Sequence, residues 1–303
     1  AEPYLELLRQ VVRRTARLIA QWQLAGFAHG VMNTDNMSVL GLTLDYGPYG
    51  FLDDYDPGFV CNHSDRQGRY AFDKQPEIGL WNLSCFGQAL LPLLDENGEA
   101  AAEKARAVLG DYQPTLVEAY AEGMRAKLGL RDRDSRDQDL CADLLGRMHR
   151  NRADYTNVFR ALCGLRQEDP AADAPIRDQF IERDAFDAWA RDYRARLAAE
   201  QSRDGERAER MRAVNPKYVL RNYLAQAAIE APEKLDYPAL MGKILLREGR
   251  VQDAYDLLGA LPAEAQADGE ISRLLAHLGL ILAARGAEEL AGLQQQVADN
   301  PDD

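Results

Sequence analysis

The sequence predicts a mainly helical α+β protein, on three observations. Apolar residues recur at helical spacing through most of the 303 residues. Signals for short strands and turns are confined to about residues 37–75, where Gly47, Pro48, Gly50, Pro57 and Gly58 interrupt the chain. From about residue 77 helical periodicity runs to the end.

Taken in order, residues 4–27 read as one amphipathic helix, with Leu5, Leu8, Val12, Leu18, Ile19 and Trp22 on a common face. A helical pattern so close to Ala1 reads as a fold entered partway. A loop, His29-Gly30-Val31-Met32-Asn33-Thr34-Asp35-Asn36, follows, then an apolar strand Val39–Leu44, then Asp45-Tyr46-Gly47 at a turn. Trp81, Leu83, Phe86, Leu90, Leu91 and Leu94 form the buried face of the next helix. Residues 165–178 and 201–210 are charged, lack apolar periodicity and read as loops or frayed ends. Asn215-Pro216 predicts a helix start, because Asn caps free N–H groups and Pro fits the first turn. Val219, Leu220, Tyr223, Leu224 and Ala227 then supply its packing face. Near residue 238 the character changes: Gly242–Leu246, Gly249 and Val251–Leu258 read as helix, tight turn, helix. Two further apolar stripes follow, Leu274, Leu275, Leu278, Ile281 and Leu282, then Leu290, Leu293 and Val297.

The net charge of −13 excludes a phosphate-backbone binder, since no basic excess exists to neutralise nucleic acid. ATP is a separate case, because a bound metal supplies positive charge locally. The hydrophobic fraction of 46% and charged fraction of 28% are those of a globular protein. Cys61, Cys85, Cys141 and Cys163 show no C-x-x-C spacing and read as reduced thiols of a cytoplasmic protein. No stretch approaches the ~20 apolar residues of a membrane span, and no signal-peptide pattern is visible.

The chemistry concentrates between residues 29 and 45. Asn36 and Asp45 carry hard oxygen donors of the type Mg²⁺ prefers. The plain alternative is that Asp35 and Asn36 cap a turn before a strand, as Asx residues do. Asp53, Asp54 and Asp56 read as a solvated acidic loop or as auxiliary metal ligands, and His63 and Asp65 as loop residues or substrate contacts. Gly47, Gly50 and Gly58 fit no phosphate-cradling signature.

The His29–Asn36 loop with Asp45-Tyr46-Gly47 resembles the catalytic loop and metal-binding Asp-Phe-Gly segment of protein kinases, with Val31 at the place of the catalytic Asp. The longer run from His29 to Ser38, with Leu44–Tyr55, is similar to the selenoprotein O family. The similarity continues at Cys61-Asn62-His63-Ser64-Asp65, Gln75-Pro76, Trp81-Asn82-Leu83, Arg125–Leu130, Ala153-Asp154-Tyr155-Thr156 and Asn215–Tyr223, and covers about residues 1–238. Members have a kinase-like fold and transfer AMP from ATP to protein hydroxyls. The resemblance implies the carboxy-terminal lobe of such a fold. It implies Mg²⁺ (or Mn²⁺) at Asn36 and Asp45, with Asp45 also against the nucleotide, and Asp35 as the proton acceptor. His29 would brace the loop. ATP and the Ser, Thr and Tyr hydroxyls of proteins would be the substrates. Phosphate-holding groups precede the motif in that family, whereas residues 1–28 offer only Arg9, Arg13, Arg14 and Arg17. An incomplete fragment, weak or inactive alone, is therefore expected. Residues 239–303 resemble the tetratricopeptide-like tail of thioredoxin-like co-chaperones, which implies helical hairpins and a protein partner. The competing reading is a non-catalytic helical interaction protein on a kinase-like relic.

Overall fold

The first helix, α1 (Pro3–Ala25), follows its periodicity directly. Leu8, Val12, Ala16, Ile19 and Trp22 lie along one buried stripe, and Pro3 opens the helix where a missing N–H costs nothing. The structure, a computed structural model, describes residues 2–230, 236–247 and 249–299, with side chains except those of 229–230, 236–237, 247 and 285–299. The chain forms two compact units, Ala1–Arg221 and Asn222–Asp303.

In the first unit α1 runs into β1 (Phe27–Ala28), which pairs antiparallel with β2 (Gly50–Phe51), Phe27 opposite Phe51 and Ala28 opposite Gly50. Helices α2 (Gln75–Leu94), α3 (Gly98–Leu109), α4 (Tyr112–Lys127), α5 (Asp137–Asn151) and α6 (Tyr155–Leu162) follow. The one-turn α7 (Ala174–Arg177), α8 (Arg183–Ala199) and α9 (Asp204–Val214) complete the unit. Asn97 caps α3 by accepting from Glu99 N at 2.9 Å and Ala100 N at 3.1 Å. One core cluster joins α1 to α2, α3 and α4 through Leu8, Ile19, Met32, Leu83 and Tyr112. A second gathers Leu144, Tyr155, Phe159, Trp189 and Tyr193 from α5, α6 and α8. Buried Arg196 of α8 donates to Asp137 at 2.7 Å and Glu200 at 3.1 Å, so α5 and α8 share a desolvated charge network. Removing one partner from such a network strands a buried charge.

Four local expectations are corrected. Residues 39–44 are not a strand: Met37 and Thr43 form an isolated antiparallel bridge around a turn in which Gly41 has φ +70°. A Cβ at Gly41 would lie 2.8 Å from Cβ of Arg14, so the turn is available only to glycine. Val39, Leu40, Leu42 and Leu44 are all exposed on it. Residues 204–210 are helical within α9. Their apolar signal is weak because a wholly buried arginine, Arg207, occupies the packed stripe beside Met211. Asn215 does not start a helix: its buried amide donates to the Lys127 carbonyl at 2.8 Å, and α10 (Asn222–Glu230) begins later. Trp81, assigned to the buried face of α2, is 48% exposed, with the Arg69 guanidinium 4.9 Å over its ring.

In the second unit α10 is followed by α11 (Asp236–Arg247), α12 (Val251–Gly259), the one-turn α13 (Ala263–Gln266) and α14 (Gly269–Asp299). Helices α11 and α12 form a hairpin turned at Gly249, and Ala239, Leu245, Ala254, Leu258, Ile271 and Leu278 make its core with α14. The stripe expected at Leu290, Leu293 and Val297 lies outside the described side chains.

Candidate active site

The site is built where α1 ends. Phe27–His29 has a strand partner on one side only, and the buried Gln75 amide stands in for the other. Its Oε1 accepts from His29 N at 2.9 Å, and its Nε2 donates to Phe27 O at 2.9 Å. Gly30 follows at φ +82°; a Cβ there would lie 2.7 Å from Cys61 Sγ and 2.8 Å from Pro48 O. The Asn62 amide donates to Gly30 O at 3.1 Å, the Asn82 amide to Met32 O at 3.0 Å, and the Tyr70 hydroxyl to Asn33 Oδ1 at 2.6 Å. The loop backbone is therefore held by polar groups from α2 and from the segment after β2, which compensates for its lack of regular structure.

A 3₁₀ turn, Thr34–Asn36, carries the three candidates' first two members. Asp35 is exposed, and its carboxylate has no hydrogen-bond or ion-pair partner among the described residues. Asn36 is half-buried; its Nδ2 donates to Val31 O at 3.1 Å, which fixes the amide and leaves Oδ1 as its free acceptor. Asn36 immediately precedes the Met37–Thr43 bridge and Asp45 closely follows it, so both leave the chain from the mouth of one turn. Asp45 has φ +53°, left-handed for a residue with a side chain, and its carbonyl accepts from Gly47 N at 2.8 Å. A non-glycine residue held there marks a position the surroundings over-determine. Its carboxylate, exposed like that of Asp35, has no partner among the described residues.

His29 ties the two arms together. It is 1% exposed, its Nε2 meets Leu44 O at 2.7 Å, and Val31 N approaches its Nδ1 at 3.4 Å. The Trp22 ring lies 5.2 Å away and donates through Nε1 to Thr43 Oγ1 at 2.9 Å. Burial pushes the His29 pKa below its ordinary 6.5, against the opposing pull of the Leu44 carbonyl and the Asp45 charge. A neutral ring with Nε2–H donating to Leu44 satisfies these contacts, so His29 is a brace.

The acidic cluster beyond the turn is consumed by structure. Asp53 accepts from Arg221 at 2.9 Å, Asp54 from Arg152 at 3.1 Å, and Asp56 from Gly58 N at 2.9 Å. Asp65 accepts from Arg69 N and Tyr70 N at 2.9 and 2.7 Å and shapes its own loop. His63 is exposed. Among the described residues no group of three or more His, Cys, Asp or Glu side chains gathers as a metal site. The donor set at Asn36 and Asp45, one amide and one carboxylate oxygen, is of the kind Mg²⁺ accepts when substrate phosphates and water complete its shell. Sequence reasoning named the candidate ligands and gave no structural role to the residues that frame them: Gln75, Asn82, Asn62 and Tyr70. The available signal was two amides on one face of an otherwise apolar α2, both buried.

A family model described as protein adenylyltransferase SelO matches residues 1–246. The chain is 57% identical over 242 residues to the protein nucleotidyltransferase YdiU of Myxococcus xanthus (strain DK1622), covering 80% of this chain and 48% of that protein. It is 54% identical over 265 residues to the protein of the same name from Thioalkalivibrio sulfidiphilus (strain HL-EbGR7), covering 87% of this chain and 54% of the relative. Against that of Yersinia pseudotuberculosis serotype O:1b (strain IP 31758) the identity is 52% over 264 residues. The chain spans about half the length of these curated relatives. No helix among the described residues is long and apolar enough to cross a membrane.

Proposed function

The chain belongs to the SelO family of protein adenylyltransferases, and from that membership we propose that it binds ATP through a divalent metal at Asn36 and Asp45 and serves transfer of AMP to Ser, Thr or Tyr hydroxyls of proteins. Mg²⁺, or Mn²⁺, when bound would neutralise phosphate charge. Asn36 would present Oδ1 to it, and Asp45 its carboxylate. Asp35, exposed and unpaired among the described residues, would take the acceptor proton as the hydroxyl oxygen bonds to the α-phosphorus and the bond to the departing pyrophosphate breaks. His29, Gln75 and Asn82 would keep these groups in register without touching substrate.

One observation carries the reading. Asn36, its amide locked on Val31 O, and Asp45, held in a left-handed conformation, flank a single bridge-closed turn. The test is equilibrium ATP binding with and without Mg²⁺. Binding should need the metal and should fall in Asn36→Ala and Asp45→Ala. Asp35→Asn should bind normally and lose transfer in any polypeptide that transfers AMP. Metal-independent binding, indifferent to both substitutions, would remove the proposal.

Residues 1–238 are on this reading the catalytic lobe and 239–303 a tetratricopeptide-like appendage, in a cytoplasmic protein whose four cysteines are free thiols. A second reading, a helical module that binds a protein partner without catalysis, is favoured by the exposed Leu240, Ile244 and Leu280 in the second unit. It predicts partner capture by a chain that binds no ATP.

A further inference from the structure

Between α4 and α5 lies a cavity of about 630 Å³, within the range of small-molecule sites. None of Asp35, Asn36 or Asp45 lines it. Its walls are apolar, formed by Leu116, Tyr120, Ala121, Met124 and Cys141, and it also receives the Arg125 side chain. The charges around it are unequally satisfied. Arg133 is paired with Glu118 and Glu122 at 3.2 and 2.7 Å. Asp134 is paired with Arg136, and Asp137 with Arg196, both at 2.7 Å. Arg125 is half-buried, and its guanidinium has no carboxylate or carbonyl partner among the described residues. The Tyr120 hydroxyl likewise has no hydrogen-bond partner there, and burial pushes its phenol pKa up, so it remains a donor. The last turn of α4 favours a cation at Arg125 but leaves the guanidinium donors unused.

An apolar chamber with one guanidinium that lacks a carboxylate partner and a second free donor is complementary to an apolar body carrying one carboxylate. We propose that the α4–α5 cavity binds a medium-chain carboxylate, its hydrocarbon among Leu116, Ala121, Met124 and Cys141 and its carboxylate on Arg125 and Tyr120. A neutral molecule of the same shape would leave the guanidinium desolvated and unpaired, so the charge gives selectivity as well as affinity.

The test is titration calorimetry of the whole chain with octanoate and with 1-octanol, both below their aggregation limits. Octanoate should bind saturably, one per chain, with Kd about 1 mM or tighter, and at least about ten-fold more tightly than octanol. Arg125→Gln should weaken octanoate by about ten-fold or more and leave octanol unchanged. Ala121→Phe, which fills the chamber, should abolish both. Helical circular dichroism checks that each variant is folded, and the comparison of the two ligands on the unaltered chain needs no variant. Absence of saturable octanoate binding, octanol binding as tightly as octanoate, or octanoate binding unmoved by Arg125→Gln would each overturn the proposal.

Discussion

Asp45 and His29 do different work within a few ångströms of backbone, and their substitutions should separate. Asp45 contributes an exposed carboxylate with no structural partner among the described residues. Asp45→Asn, which tolerates the same left-handed backbone, should leave thermal stability nearly unchanged while weakening Mg²⁺-dependent ATP binding by at least about ten-fold, the scale of one lost charge-assisted contact. A loss of stability with binding intact would be the opposite result and would make Asp45 a turn residue. His29 contributes stability. Its folded pKa lies below the unfolded 6.5, so beneath that value the unfolded chain binds more protons than the folded one. Stability therefore falls as pH drops through about 6.5. Urea midpoints measured between about pH 5 and 7.5 should show that slope reduced in His29→Gln. An unchanged slope would mean the buried ring is not what the acid attacks.

At the scale of elements, the loop from His29 to Asn36 owes its shape to neighbours rather than to its own propensity. Gly30 combines φ +82° with contacts that leave no room for a Cβ against Cys61 and Pro48. Gly30→Ala should cost about 2 kcal/mol or more in unfolding free energy and should also weaken metal-dependent nucleotide binding, because the loop must move to relieve the clash. Full binding in a variant that still folds would show that the loop tolerates displacement. Gln75 supplies α2's hold on the same loop through both ends of its amide. Gln75→Leu leaves His29 N and Phe27 O buried without that partner, and an unsatisfied buried group costs about 1–3 kcal/mol. Calorimetric unfolding against Gln75→Glu, which keeps the acceptor for His29 N, tells the two bonds apart.

For the whole molecule, each compact unit carries its own hydrophobic core, and the second rests on a few residues of α11, α12 and α14. Leu258 is fully buried there. Leu258→Ala should remove about 2–5 kcal/mol of local stability. Hydrogen exchange should then accelerate in α11 and α12, while α1 and α8, which belong to other clusters, keep their protection. Equal acceleration in α1 would show that the chain unfolds as one cooperative body. The net charge of −13 belongs to this scale too. It opposes an incoming polyphosphate over distances that salt screens, so the ATP association rate should rise, not fall, with moderate ionic strength. Stopped-flow mixing at two salt concentrations reads this directly.

The sequence by itself determined the helical class, the stripe that buries α1, the Gly249 hairpin, and the candidate ligands Asn36 and Asp45 with Asp35 beside them. The first three are local or periodic signals, carried by residue type and spacing; the candidate ligands were legible only through the resemblance of the His29–Asn36 and Asp45 segments to a known family. Only the tertiary structure decided that Val39–Leu44 is a turn, since a strand needs a partner and the chain there meets Arg14 instead. Only it showed that Asn215 reaches back to Lys127, and that Arg207 fills the buried stripe of α9. The same holds for Gln75, Asn82 and Arg221, whose partners lie far away along the chain. A polar residue's role is set by what it bonds to, and that partner is chosen by packing. Residue type and spacing therefore mark the elements and hide the polar residues that long-range contacts consume.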